Sequence, residues 1–360
     1  MAEQNKATDL LRSFDLSSRV TGIGSVPFLD AEQATELILR YCPVIPYAPQ
    51  LTKRDFRENM FLQFHENLPC LRVDYEKQRV FFDETLDREK ALAEFHDYVA
   101  DNNIDHFKIT PDYAKGFYTM LEKCKGKSNP FIKSQVTGPI TYLLSVTKRD
   151  KRPLLSDDEL AEAMTLGLAM KCLWQADAIR KIGKIPLLFL DEPSLWGLGA
   201  AYLPLDSERA KFFIDLLTGF LKERDEDLLI GLHCCGNTDW SMILESDVGI
   251  VSFDAYGFGD KLILYPQEIT RFIERGGFLA FGIVPTSEYR DEITEENLYD
   301  HFISGLSGFE GKGLHRDLLL RSSLFTPSCG MGPLVETKAR RILELTTSLS
   351  RQIQHQFIKA

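Results

Sequence analysis

The chain has 360 residues, a formal net charge of −11, 44% hydrophobic and 26% charged residues. This composition belongs to a globular protein with a substantial core and excludes a disordered chain, while the acidic balance excludes nucleic-acid binding through clustered Lys and Arg. The opening MAEQNKATDLLRSFDL lacks a basic stretch followed by an apolar one, and no apolar run is long enough to span a bilayer, so a cytoplasmic protein with no membrane partner is expected.

In chain order, short aliphatic or β-branched runs alternate with longer amphipathic stretches, the pattern of βα units and a parallel sheet. Strands are predicted at Val20–Ser25, Val44–Ala48, Ile132–Thr137, Ile185–Asp191, Leu228–His233, Gly249–Asp254, Phe278–Val284 and Leu319–Phe325. Eight strands predict one α/β domain over residues 1–360, a (β/α)8 barrel of the triosephosphate-isomerase type. The gap between strands 2 and 3 is too long for one crossover helix and predicts an insertion over about 71–127, with its own strand-like run at His106–Thr110. Helices are predicted over Asp157–Lys181 and Ser207–Glu223, each opening on a Ser or Asp at the cap position. Lys53, Arg54 and Arg57 form a basic helical turn near the second strand, either a solvated face or a contact for an anionic substrate.

In such barrels chemistry sits at the carboxyl ends of the strands. Polar motifs fall there repeatedly: GIGS at 22–25, APQ at 48–50, TGP at 137–139, DEP at 191–193, HCCGN at 233–237, FDAYG at 253–257, VPTS at 284–287 and PSCG at 327–330. Seven cysteines are a poor disulfide framework, and Cys42, Cys70, Cys124 and Cys172 read as small buried hydrophobes.

His233 and Cys235 are two apart on a predicted strand, so both point to one side and Cys234 to the other. One ring nitrogen and one thiolate then reach a single ion, and Cys329, in the turn after the eighth strand, is the natural third ligand of an open zinc site. The alternative is a core cysteine beside a hydrogen-bonded histidine. Asp254 ends the sixth strand, where it is a fourth displaceable ligand, an outer acceptor or a helix cap.

These residues carry a resemblance. GIGSVP, SQVTGPITYLL, DEP, LHCCGN and SCGMGPL occur over residues 20–340 in the order found in the catalytic half of cobalamin-independent methionine synthase, which they resemble. HCCGN and SCG also resemble the methylcorrinoid:coenzyme M methyltransferases on the uroporphyrinogen decarboxylase fold. The resemblance implies a core-only, zinc-dependent thiol methyltransferase in which His233, Cys235 and Cys329 hold Zn2+ and Asp254 falls where the family has a glutamate ligand. It places Ile23 and Ser25 at the carboxylate of homocysteine and Asp191 at its amino group, with Gln50 where the family has a glutamate. The reaction implied is methylation of homocysteine to methionine.

The donor side departs from the family. Folate-using relatives supply a histidine after the seventh strand and a tryptophan against the pterin, whereas here VPTSEYR has no histidine and Ser145 falls at the tryptophan position. Co(I) leaves a methylcorrinoid without needing a proton, so a corrinoid protein or another non-folate donor is expected as partner. Trp196, Tyr256 and Glu288 are rim candidates beside this donor. The alternatives are a coenzyme M-type methyltransferase, a methyltetrahydrofolate-dependent methionine synthase, and a metal-free decarboxylase or lyase using Asp254 and Asp191 as acid–base groups. A corrinoid- or thiol-binding accessory protein is the non-enzymatic one.

Overall fold

Aliphatic runs buried on both faces form the strands, because a sheet covered by helices outside and filled within leaves no strand face in water. In the structure, a computed structural model that describes residues 11, 13–199, 205–287 and 289–358, every residue of β4 (Phe131–Thr137) and β8 (Phe278–Val284) is buried. With β1 (Arg19–Val20), β5 (Ile185–Asp191), β6 (Leu229–Cys234), β7 (Ile250–Phe253) and β9 (Ser323–Pro327) they make a parallel sheet in the order β1-β9-β8-β7-β6-β5-β4. The remaining gap is bridged by residues 46–50. Lys133 donates its N–H to Pro46 O and accepts from Ala48 N on one side, and Gln50 N donates to Gly24 O on the other. The (β/α)8 architecture expected from the sequence is therefore present, with isolated parallel bridges at Tyr47 and Gln50 in place of a regular second strand.

The amino-terminal half of the barrel is filled with apolar side chains, among them Phe131, Leu187, Phe189, Leu229, Phe278 and Leu324. The carboxyl-terminal half is not, and the cleft opens there. Outside, the helix Asp158–Arg180 begins on the cap Asp157, whose side chain accepts from Leu160 N. The helix Ser207–Arg224 is capped by Asp206 rather than Ser207.

Three expectations are corrected. Residues Leu319 and Leu320 are buried in the helix Arg316–Arg321, and β9 starts only at Ser323, because an apolar LLL run fits a buried helix face as well as a strand. His106 lies in a single 3-10 turn, Ile104–Phe107, after a turn in which Asn102 has φ 49°, and Asn103 caps it by accepting from His106 N. The inserted segment's strands are instead the hairpin of β2 (Leu71–Asp74) and β3 (Arg79–Phe82). The basic residues are also not a helix turn: a short 3-10 turn spans Phe56–Glu58, with Arg54 paired to buried Glu58 at 2.8 Å and Arg57 to Asp55 and Asp112 at 2.7 and 2.9 Å. Cys42, Cys70, Cys124 and Cys172 are free and buried, as expected. Among the described residues no helix is long and apolar enough to cross a membrane.

Candidate metal centre

Strand register assembles the site. Thr137 of β4 pairs with Asp191 of β5, Asp191 with His233 of β6, and His233 with Ser252 of β7, so these residues stand on one rung at the carboxyl ends of four strands. Strand alternation turns His233 and Cys235 inward and Cys234 outward, where its buried thiol donates to Gly236 O at 3.5 Å.

The loop after β9 brings Cys329 to the same place. Ser25 holds that loop through two bonds: its carbonyl accepts from Met331 N at 2.8 Å and its Oγ accepts from Gly332 N at 3.2 Å. A Cβ on Gly330 would stand 2.3 Å from Ser25 Oγ, so the SCG turn can approach the GIGS strand only with glycine there. The result is that one ligand atom each from His233, Cys235 and Cys329 lie within 4.8 Å of one another.

These three residues fit a metal ion. His233 Nδ1 is 3.0 Å from Ser252 Oγ, while its Nε2 is buried and has no hydrogen-bond partner. With Nδ1–H given to the serine, Nε2 keeps a lone pair for an ion, and one imidazole with two thiolates is a donor set that suits zinc. The Cys235 thiol is pulled down to about 4 by the hydrogen bond from Cys329, against the effect of burial and with help from His233. The Cys329 thiol, as the donor of that bond, is pushed up.

Asp254 lies outside this cluster. Its Oδ1 accepts from Gly257 N at 2.8 Å and caps the helix Ala255–Leu262, the role that an aspartate at a strand end most often has. Burial raises its carboxyl to about 6, and the charges of Cys235 and His233 act on it in opposite directions.

The triad lies on the wall of an open cleft of about 490 Å³, whose lining also includes Ile23, Ser25, Gln50, Asp191 and Lys53. All the substrate-contact candidates therefore share one cavity. Asp191 is 8% exposed, its Oδ1 has no partner, and burial raises its carboxyl to about 6 against the pull of Lys133 and His233. Of the basic run, Lys53 alone lines the cleft, and its ammonium donates to Leu334 O. Trp196 is 63% exposed and packs its Cβ against Gly236, beside Cys235, without lining the cleft. Tyr256 packs on His301 with ring centroids 4.4 Å apart, Ser145 ends the helix Pro139–Ser145, and Glu288 lies outside the described residues.

Sequence reasoning missed the residues beneath and behind this face. Glu192, next to Asp191 on the pleat, points outward and accepts from Ile140 N, Thr141 N and Thr141 Oγ1 at 2.8, 2.8 and 2.7 Å. It thus holds the start of the TGPIT helix, and Gly138 is glycine because a Cβ would come 2.3 Å from that carboxylate. Lys133 is buried inside the barrel, donates to Ile23 O, and sits 4.5 Å over the Phe189 ring. A lysine in the otherwise buried run FIKSQVT was the available signal.

No family model and no curated protein matches the sequence. Among solved structures the chain is similar to a B12-independent methionine synthase from Shewanella sp. W3-18-1 in complex with selenomethionine, with a TM-score of 0.60 and 15% identity over 96% of this chain and 100% of that one. It is also similar to a putative vitamin-B12 independent methionine synthase from Listeria monocytogenes, with a TM-score of 0.56 and 15% identity over 92% of this chain and 96% of that one. The likeness is one of fold. It extends over nearly the whole of both chains.

Proposed function

We propose that this protein is a zinc-dependent methyltransferase that methylates a small thiol, homocysteine, to give methionine. The observation that carries the reading is the meeting of His233, Cys235 and Cys329 in the lining of a cleft that Asp191, whose buried Oδ1 has no partner, also lines. His233, Cys235 and Cys329 would hold the zinc, which when bound would lower the pKa of a substrate thiol while the two cysteine thiolates would keep its sulfur nucleophilic.

The chain's own residues orient the thiol. Asp191 takes the substrate amine, and the backbone at Ile23 and Ser25 takes the carboxylate. Lys133 holds Ile23 O from below, so the strand end that meets the carboxylate is fixed before substrate arrives. Asp254 acts from outside the ligand set as the cap of its helix and as a negative neighbour of the thiolates.

The donor reading rests on leaving groups. Among the described residues that line the cleft, His233 is the only histidine, and it belongs to the metal set. That leaves no free histidine in the described lining to protonate a departing amine, which favours a methylcorrinoid or another donor whose leaving group needs no proton over methyltetrahydrofolate. Nothing in the comparisons speaks for a corrinoid partner. A metal-free lyase is the second reading, favoured by the raised carboxyls of Asp191 and Asp254.

The test is to measure zinc in the purified protein, follow its sulfur coordination by X-ray absorption as homocysteine is added, and assay methionine with each donor. Metal-free protein with full turnover of a carboxylated substrate would replace this reading by the second.

A further inference from the structure

Gln50 and Gln63 are both 5% exposed and are linked to the inserted segment by an amide chain. Its direction follows from chemistry. The carbonyl of Tyr113 can only accept, so Gln63 turns its Nε2 to it, at 3.0 Å. Gln63 Oε1 then faces Gln50, which donates with its own Nε2. That leaves Gln50 Oε1 on the side of Gly24, where a Cβ would approach it to 3.1 Å, in the wall of the cleft that also holds Asp191.

The anchor of the chain is itself fixed. Tyr113 packs its ring 4.9 Å from His65 and lies under the Arg57 guanidinium at 5.7 Å. The following helix, Lys115–Cys124, lies so close to Pro49 that a Cβ on Gly116 would fall 1.9 Å from Pro49 O. The residue before Gln50 and the partner of its amide are thus both held by the inserted segment.

We infer that Gln63 is a positioning residue that locks the Gln50 amide with its carbonyl oxygen toward the cleft, so that the cleft selects thiols whose tail carries hydrogen-bond donors. This rests on the thiol-binding reading above and names its substrate class: an amino thiol, with its amine shared between Gln50 Oε1 and Asp191, in preference to a sulfonate thiol. A sulfonate in that position would face two acceptors. The only cation among the described residues lining the cleft, Lys53, is held by Leu334 O.

The experiment measures calorimetric affinities of the zinc-loaded full chain for homocysteine, for 4-mercaptobutyrate, which is homocysteine without its amine, and for 2-mercaptoethanesulfonate. Wild type should prefer homocysteine. Gln63→Leu releases the Gln50 amide and should weaken homocysteine about 3- to 10-fold, the worth of one net hydrogen bond, with 4-mercaptobutyrate unchanged. Gln50→Leu should give the same selective loss and serves if Gln63→Leu does not fold. Unchanged homocysteine affinity in Gln63→Leu and Gln50→Leu, or equal weakening of both carboxylate thiols, overturns the inference while leaving the methyltransferase reading intact. Wild type that binds none of the three thiols overturns both.

Discussion

The inner and outer faces of the strand ends differ in what their polar atoms do. Inward, Asp191 Oδ1 and His233 Nε2 have no hydrogen-bond partner, and the thiols of Cys235 and Cys329 face each other. Outward, one residue along the same strands, Glu192 has three donors and Cys234 lies against a carbonyl. Buried polar groups are normally satisfied, so two orphaned atoms on residues that line one cleft make it the candidate ligand site, while the bonded Glu192 holds a helix. Adjacent residues of DEP and HCCGN thus have opposite duties, assigned by the pleat.

The sharpest way to break this contrast is metal content. Cys235→Ser and Cys329→Ser should lose nearly all of about one zinc per chain, while Cys234→Ser keeps it, as read by atomic absorption. Equal loss in all three would remove the distinction between the faces.

The next effect concerns what the inner face lacks. With no free histidine in the described lining, methyl transfer to homocysteine from a methylcorrinoid should exceed that from methyltetrahydrofolate by about 10² to 10⁴, the usual worth of a general acid. Rapid methionine formation from methyltetrahydrofolate would show that another group supplies the proton.

The outer face answers to stability. Glu192→Ala strands three donors at the start of the helix Pro139–Ser145 and should cost on the order of 3 to 5 kcal/mol in denaturant unfolding, with zinc unchanged in the folded fraction. A cost below about 1 kcal/mol would mean that water replaces the carboxylate there.

Asp191→Asn gives the smallest effect and joins function to folding. Homocysteine should bind about tenfold more weakly, and a thiol without an amine much less so. Burial raises the Asp191 carboxyl from 3.8 to about 6, so its contribution to folding is complete below about pH 4 and is lost as pH rises through 6. The metal-free variant should therefore melt a few degrees above wild type at pH 7.5, and the gap should close toward pH 4. A variant that melts lower at pH 7.5 would show that the ionised carboxylate is satisfied in the folded protein.

Much of the site was legible because it depends on local rules. A period of two separates Cys234 from Cys235, and the position of a motif at a strand end predicts a place on the barrel rim; both follow from sequence order alone. Asp254 shows the limit: the same strand-end position serves a ligand or a cap, and only the placement of its Oδ1 on Gly257 N, 2.8 Å away, distinguishes them.

By itself the sequence determined the eight-unit barrel, most of its strand positions, and the separation of His233 and Cys235 from Cys234, because hydrophobic period and strand pleat are properties of neighbours in the chain; that Cys329 joins them was decided by the loop that Ser25 holds. Only the tertiary structure decided that the inserted strands are a hairpin rather than the run at His106, and that Gln50 is directed by Gln63 and Tyr113. It alone decided also that Glu192 holds the TGPIT helix and that a buried lysine supports the GIGS strand. Those contacts join residues 63 to 113, 141 to 192 and 23 to 133, and no local pattern records which distant partner satisfies a buried polar atom.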